Sequence, residues 1–318
     1  MSAYGILKKG EYTLIWAVLI ALWVLLVVVI LFKPLWLMNY LLSPVGATFA
    51  GVKRIKNLQY GQDARQSMDV YLPIEYSADT PWVMFVHGGA WDTGHKDEYA
   101  FAGRALAELG FACAVPTYRL YPAVKYPHFI EDIAEAVRRL PSLIDAKSID
   151  SQGLRQNGFV MMGHSAGAHT GAMLATHEQY LQESDTSINQ FIGLAGPYDL
   201  PLDDPLVVGK FDGVRVYDVS EIREDYGHEH NAHEANPINW AHENMPPCLL
   251  IHGSDDVTVG PYHSERFSRR LEQLHVKHDC IMIEEVNHRH LVGALCYGLR
   301  WLNPVYTMIS DTLRTTKH

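Results

Sequence analysis

The chain has 318 residues, of which 48% are hydrophobic and 19% charged, and its formal net charge is −10. This composition excludes an intrinsically disordered chain, which would contain fewer apolar and more charged residues. The acidic balance also argues against nucleic-acid binding, because contact with phosphates requires a basic face.

The first predicted element is an apolar run of 19 residues without charge, residues 14–32. A helix of this length, at about 1.5 Å per residue, nearly matches a bilayer core of roughly 30 Å. A cleaved signal peptide would have a shorter apolar core and a small-residue cleavage site soon after it. Here Trp36 and Tyr40 follow, which suit the lipid headgroup layer. We predict a single-pass membrane anchor, with residues 1–43 as tail, anchor and juxtamembrane segment; a signal peptide and a buried helix are the alternatives.

The orientation of the anchor follows from the charges on either side. Lys8 and Lys9 precede the run, whereas Lys33 is the one charge close behind it. Because positive residues favour the cytoplasmic side, this bias places the remaining domain, residues 44–318, on the non-cytoplasmic side.

Short apolar runs alternate with helical patterns along residues 44–318, which is typical of a parallel sheet flanked by helices. The predicted strands are residues 67–71, 82–86, 112–116, 158–162, 191–194, 248–252 and 280–283. The predicted helices are residues 100–109, 128–140, 166–177, 262–274 and 291–301. Residues 196–246 interrupt the alternation and are predicted to form a cap over one end of the sheet.

A candidate nucleophile lies in the segment Gly163-His164-Ser165-Ala166-Gly167. This G-x-S-x-G pattern follows an apolar strand and precedes a helix of small residues, which is the context of a nucleophile elbow. The two glycines permit a sharp turn with Ser165 at its tip. An ordinary tight turn is the alternative interpretation.

A serine nucleophile needs donors for the oxyanion that forms on the substrate, and the strand at residues 82–86 ends in His87-Gly88-Gly89-Ala90-Trp91. Glycines allow backbone N–H groups to approach a carbonyl oxygen closely. The sequence therefore predicts an oxyanion hole formed by Gly88, Gly89 and Ala166.

The candidate acid and base follow later strands. Asp255 and Asp256 come directly after the strand at residues 248–252, and His288 and His290 follow the last strand. In an extended segment the two histidines would face the same way, so only one could reach Ser165. The order Ser, Asp, His is the order found in α/β-hydrolases and differs from those of chymotrypsin and subtilisin.

With these motifs, the chain resembles the α/β-hydrolase serine esterases, in the HGGxW branch with bacterial carboxylesterases, feruloyl-esterase-like enzymes and kynurenine formamidases. The segments MDVYLP (68–73), TYRL (117–120) and GPYDL (196–200) resemble further motifs of this family, and the similarity extends over residues 60–301. The resemblance implies an α/β-hydrolase fold with Asp256 as the acid and His288 as the base. Asp255, directly before Asp256, is the second candidate for the acid. His290 is the second candidate for the base, because Arg289 stands where the family commonly has an aromatic residue.

The prediction is therefore a membrane-anchored serine esterase that cleaves small carboxylic esters, with no metal or organic cofactor. Arylformamides and lipid or prenylcysteine methyl esters are alternative substrates, and a catalytically silent, membrane-tethered binding module is the alternative of another class. No oligomeric state is predicted.

Other polar clusters are interpreted as structural. His228, His230 and His233 lack HExxH spacing and are predicted to form a solvated part of the cap rather than a metal site. The motif histidines 87, 164 and 252, and the pair Arg119 and Asp132, are predicted to support the scaffold. The four cysteines have no CxxC spacing, which leaves free thiols or one disulfide as alternatives.

Overall fold

An eight-stranded sheet forms the centre of the protein in a computed structural model that describes residues 12, 14–24, 38–39, 51–217 and 233–315. The strands are β1 (Lys53–Gln59), β2 (Ser67–Leu72), β3 (Trp82–Val86), β4 (Ala112–Pro116), β5 (Phe159–His164), β6 (Ile188–Leu194), β7 (Cys248–Gly253) and β8 (His278–Ile283). Among the described residues between 51 and 315, the α-helices are α1 (Ala100–Glu108), α2 (His128–Asp145), α3 (Gln152–Asn157), α4 (Ala166–Thr176), α5 (Pro237–Trp240), α6 (Tyr262–Gln273), α7 (His288–Gly293) and α8 (Val305–Thr315).

The strand order is β1-β2-β4-β3-β5-β6-β7-β8. The first two pairings, β1 with β2 and β2 with β4, are antiparallel. The other six strands, β3 to β8, are mutually parallel. The predicted mostly parallel sheet is confirmed. Because parallel strands end at one edge, the loops after β3, β5, β7 and β8 meet there, and these loops carry the candidate site residues.

Both faces of the sheet are covered, which explains why β2 to β5 and β7 are buried along their whole length. One core cluster lies between the sheet and α2, where Phe129, Ile130 and Ile133 are fully buried. The other lies under α1 and α8, with Phe101 and Ile309 fully buried.

The described part of the N-terminal region includes helical residues 14–24. Its large apolar side chains are all solvent-exposed, by 48% to 67% of their surface. No helix within the described ranges is long and apolar enough to cross a bilayer. The predicted anchor continues to residue 32, and residues 25–32 lie outside the described residues, as does Trp36.

The predicted cap, residues 196–246, is described in part, since residues 218–232 lie outside the described residues. Its first part packs over the loop after β3: Phe211 contacts Trp91 edge-to-face at 4.9 Å between ring centroids, and Lys210 pairs with Asp92 at 2.6 Å. The cap is therefore attached to the loop predicted to hold the oxyanion.

The predicted helix at residues 291–301 is wrong in its bounds. Helix α7 begins at His288, because the Asn287 side chain accepts hydrogen bonds from the N–H groups of Arg289 and His290. A short 3₁₀ turn, Tyr297–Leu299, then separates α7 from α8. Helix α8 was not predicted.

Candidate active site

Ser165 stands between β5 and α4 with a φ of 56° and a ψ of −125°. A positive φ is costly for a residue with a side chain and is a feature of functional turns. The turn is tight: a Cβ on Gly163 would lie 2.3 Å from the Gly167 carbonyl oxygen, and one on Gly167 would lie 2.1 Å from the Val86 carbonyl oxygen. The sequence thus folds into the predicted sharp elbow, with Ser165 at its tip.

The loop after β3 approaches this serine, and a Cβ on Gly88 would lie 3.0 Å from Ser165 Cβ. His87 Nδ1 is 2.8 Å from the Gly88 carbonyl oxygen. Since a carbonyl only accepts, Nδ1 carries the proton, and burial lowers the pKa of His87 to about 3, which keeps the ring neutral. In a planar trans peptide the C=O and N–H point in opposite directions, so this bond aims the Gly89 N–H away from His87.

Ala166 supplies a further donor at the same place. It is the first residue of α4, so its N–H has no acceptor within the helix. The helix N-terminus also favours a negative charge. Together with the Gly88–Gly89 loop, this end of α4 provides backbone N–H groups close to Ser165.

Asp256 is buried at 3% exposure and accepts hydrogen bonds through both of its oxygens. Oδ1 accepts from the backbone N–H groups of Thr258 and Val259, each at 2.9 Å. Oδ2 lies 2.6 Å from His288 Nδ1 and 3.3 Å from His252 Nε2. Burial alone would raise the pKa of Asp256, but hydrogen bonds from His252, His288 and the Val259 N–H hold it well below its usual range.

The two second candidates lie elsewhere. Asp255 is exposed, and its side chain accepts a hydrogen bond from Ser254 Oγ at 3.0 Å. His290 is exposed on α7. The expectation that His288 and His290 face the same way in an extended segment is wrong, because residues two apart in a helix are separated by about 200°.

His288 lies beside the elbow. Its ring centroid is 4.7 Å from that of His164, and its carbonyl oxygen is 3.2 Å from His164 Nε2. Among the described residues no hydrogen bond joins Ser165 Oγ to His288 Nε2. Such contacts are often long without substrate and shorten when substrate binds.

The motif histidines support the scaffold as predicted. Besides the bond of His87 to Gly88, His252 Nδ1 accepts from Ser264 Oγ at 2.7 Å, while its Nε2 faces both the Val259 carbonyl oxygen and Asp256. His252 therefore also helps to orient the acid, a role that its position in HGSDD did not reveal. Tyr99, whose hydroxyl lies 3.0 Å from His164 Nδ1, was not singled out by any motif.

The remaining structural predictions have mixed outcomes. Arg119 binds both carboxylate oxygens of Asp132, at 2.6 to 3.1 Å, which confirms their scaffold role. All four cysteines lie in the described part of the chain and are free thiols. His228 and His230 lie outside the described residues, and His233 Nε2 donates to the Leu200 carbonyl oxygen at 2.7 Å. Within the described ranges no cluster of three or more His, Cys, Asp or Glu side chains is arranged to hold a metal ion.

A cavity of about 660 Å³ lies between α2 and the cap and is lined in part by Tyr126, Arg138, Tyr180 and Trp240. None of the predicted site residues lines it. This cavity is therefore separate from the candidate site, where His288 contacts Asp256 and lies beside the Ser165 elbow.

Comparison with solved structures reveals the fold. A truncated carbohydrate esterase from gut microbiota superimposes with a TM-score of 0.66 at 19% identity, over 83% of this chain and 96% of that chain. Esterase B from Lactobacillus rhamnosis gives a TM-score of 0.64 at 20% identity, over 83% and 85% of the two chains. The predicted α/β-hydrolase fold is confirmed.

Curated relatives are similar in sequence as well. A probable isoprenylcysteine alpha-carbonyl methylesterase from Oryza sativa subsp. japonica is 29% identical, over 74% of this chain and 58% of the relative. Esterase LipC from Mycobacterium tuberculosis is 30% identical, over 68% of this chain and 54% of the relative. A kynurenine formamidase from Danio rerio is 28% identical, over 46% of this chain and 47% of the relative.

The alignments span little more than half the length of the first two of these relatives. The BD-FAE family model matches residues 68–271, which include Ser165, Asp256 and the Gly88–Gly89 loop. The predicted resemblance to esterases of the HGGxW type is confirmed, and since the match covers more than half of the sequence, the chain belongs to the BD-FAE family of α/β-hydrolases.

Proposed function

We propose that this protein is a serine hydrolase that cleaves carboxylic esters through an acyl-enzyme intermediate. The observation that carries the proposal is the 2.6 Å contact between His288 Nδ1 and Asp256 Oδ2 beside the strained Ser165 elbow. A carboxylate on Nδ1 leaves Nε2 of the neutral ring as a proton acceptor, which is what a serine nucleophile requires.

In the first half of the reaction, His288 Nε2 removes the Ser165 hydroxyl proton while Oγ attacks the ester carbonyl carbon. The N–H groups of Gly88, Gly89 and Ala166 stabilise the resulting oxyanion, and each such donor is worth about 3–4 kcal/mol in the transition state. The intermediate then collapses to the acyl-serine, and the protonated His288 donates its proton to the departing alcohol.

In the second half, His288 removes a proton from water, which attacks the acyl-serine. Collapse of the second tetrahedral intermediate releases the carboxylic acid and returns the proton to Ser165. Asp256 stays ionised throughout and stabilises the imidazolium form of His288. No metal or organic cofactor is needed for these steps.

The test of the nucleophile is the Ser165→Ala variant. Labelling by a fluorophosphonate probe and hydrolysis of p-nitrophenyl butyrate should both disappear, while the melting temperature changes little because the exchange removes one hydroxyl group. Ser187→Ala, at an exposed position before β6, serves as the control and should label normally. Labelling that persists in Ser165→Ala at another serine would refute the assignment, and absence of labelling in the unmodified protein would favour a silent binding module.

The membrane anchor is part of the same proposal. It is supported by the exposed apolar side chains of residues 14–24, because an exposed apolar surface of this size marks a contact with a membrane or with another protein. Full-length protein should sediment with membranes and be released by detergent.

The variant Leu19→Arg should impair membrane insertion, whereas Tyr12→Arg, before the apolar run, should not. Recovery of the full-length protein in the soluble fraction without detergent would contradict the proposal, and protease accessibility in sealed vesicles tests the non-cytoplasmic orientation.

An ester of a membrane lipid or of prenylcysteine is the second candidate substrate. Two observations favour it: the apolar N-terminal helix and the 29% identity to a relative named as an isoprenylcysteine methylesterase. A panel of p-nitrophenyl esters, a prenylcysteine methyl ester and N-formylkynurenine separates the three substrate classes. The ratio of their kcat/KM values decides between them.

A further inference from the structure

The short segment that follows the predicted anchor is part of the catalytic domain. Met38 and Asn39, exposed by 7% and 3%, form what we call the docking segment. Met38 belongs to the core cluster under α1, and its carbonyl oxygen faces Cys296 Sγ at 3.7 Å. The backbone carbonyl of Asn39 accepts a hydrogen bond from Arg104 Nη1 at 3.0 Å. The docking segment is therefore held by α1 and by the region after α7.

The Asn39 side chain occupies the position of a helix cap. Helix α1 has Tyr99 at its N-cap, and the Tyr99 side chain makes no capping bond. Instead, Asn39 Oδ1 accepts from the Phe101 N–H at 2.9 Å, one of the donors that a capping side chain would satisfy. Asn39 Nδ2 donates to the Glu98 carbonyl oxygen. These two bonds fix the backbone on both sides of Tyr99.

Tyr99 continues the connection toward the site. It is exposed by 7%, and its hydroxyl lies 3.0 Å from His164 Nδ1. Burial raises the pKa of Tyr99, so the hydroxyl keeps its proton and can donate. His164 directly precedes Ser165, so the bond reaches the base of the elbow.

His164 is the last side chain in this series of hydrogen bonds from Asn39 to His288. Its Nε2 is 3.2 Å from the His288 carbonyl oxygen, which can only accept, so Nε2 carries the proton. Burial lowers the pKa of His164 well below its usual value, so the ring is neutral and Nδ1 is free to accept from Tyr99. One set of proton positions thus satisfies every bond from Asn39 to the backbone of His288.

We propose that Asn39 is a positioning residue for His288, acting through the N-terminus of α1, Tyr99 and His164. The inference rests on the proposed function of His288 as the catalytic base. Its consequence is that the segment joining the anchor to the domain also sets the geometry of the site. A chain that loses this segment should keep its fold and its Ser165 elbow but hold His288 less firmly.

The test uses full-length protein in detergent with three variants: Asn39→Ala, Tyr99→Phe and the two combined. Each single change should lower kcat by roughly tenfold with KM unchanged, because a small misplacement of the base slows the chemical step without altering ester binding. The double variant should be no slower than the slower single one, because both changes break the same path. Thr186→Val is the matched control, because it removes a buried hydroxyl that donates to the Leu154 carbonyl oxygen at 2.8 Å. Thr186 precedes β6 and so lies at the amino-terminal ends of the parallel strands, opposite to the candidate site. The kcat of this variant should not change.

Three outcomes would overturn the inference: unchanged kcat in Asn39→Ala, a hundredfold loss in the double variant that shows independent effects, or an equal loss of kcat in Thr186→Val. If Asn39→Ala does not fold, Tyr99→Phe decides alone, since it removes one oxygen atom and keeps the ring. Failure of the proposed function is distinguishable, because Ser165→Ala would then retain hydrolysis. An inactive Ser165→Ala combined with wild-type kcat in Asn39→Ala and Tyr99→Phe refutes this inference alone.

Discussion

Four N–H groups converge on the Asp256 carboxylate, and only one of them belongs to the proposed base. Thr258 and Val259 hold one oxygen, and His252 shares the other with His288. An asparagine at this position would direct its NH₂ group at two N–H donors whichever way the amide turned. A carboxylate at residue 256 can accept from all four groups, as the proposed role of Asp256 in orienting His288 requires.

The two candidate pairs give a direct prediction. His288→Ala and Asp256→Asn should each lower kcat on p-nitrophenyl butyrate by on the order of 10⁴-fold, because each leaves Ser165 without an oriented base. His290→Ala and Asp255→Asn should retain most activity, since both side chains are exposed. Circular dichroism verifies that all four variants are folded. If His290→Ala were inactive and His288→Ala active, the base would be His290 and not His288.

The sequence predicted Ser165, the glycine loop and the acid–base region as site candidates because each is a local motif at the end of a strand. The ranking of Asp256 over Asp255 and of His288 over His290 came from the family resemblance. Asn39 and Tyr99 could not be found this way: their contacts join residues 62 and 65 positions apart, and neither residue belongs to a motif. Such contacts depend on how α1 packs, which no local pattern encodes.

At the level of elements, β5, the elbow and α4 work as one unit, since the glycines of the elbow allow α4 to pack against the end of β3. Strands β3 and β4 were predicted with the bounds that the structure has, because their apolar runs end at clear turn residues. Strand β1 was missed because its sequence, KRIKNLQ, is polar, as suits an edge strand with exposed side chains. Helix α7 was displaced because Asn287 was not recognised as its cap.

A pair of glycine variants tests this packing. Gly167→Ala should destabilise the protein by on the order of 3 kcal/mol, because its Cβ would lie 2.1 Å from the Val86 carbonyl oxygen and force α4 away from β3. Gly293→Ala, in α7, is the matched control: its Cβ would meet only Met38 Cε at 3.9 Å, so helix propensity should make it neutral or stabilising by up to about 1 kcal/mol. Urea unfolding midpoints measure both. Equal midpoints for the two variants would contradict the role assigned to Gly167.

At the scale of the whole molecule, the fold buries several histidines in the neutral form. Five of them, His87, His164, His169, His233 and His263, are exposed by at most 4%, and burial lowers the pKa of each. The lowered pKa values are about 3 for His87 and His169 and about 4 for His263. In the unfolded chain the same groups titrate near pH 6.5.

These buried histidines predict an acid-sensitive fold. Between about pH 6.5 and pH 4 the unfolded chain binds protons that the folded protein does not, so the free energy of unfolding should fall with falling pH, by about 1.4 kcal/mol per pH unit for each histidine that stays neutral. Above pH 6.5 this contribution to the slope vanishes. His169→Gln should reduce this slope by about 1.4 kcal/mol per pH unit, the contribution of one proton. The glutamine amide can still donate to the Ala235 carbonyl oxygen, which His169 Nε2 contacts at 2.7 Å. The control Ser187→Ala, at an exposed position without a titrating group, should not reduce the slope. Urea unfolding at pH 7, 6 and 5 measures the slope, and an unchanged slope in His169→Gln would show that this ring does not stay neutral.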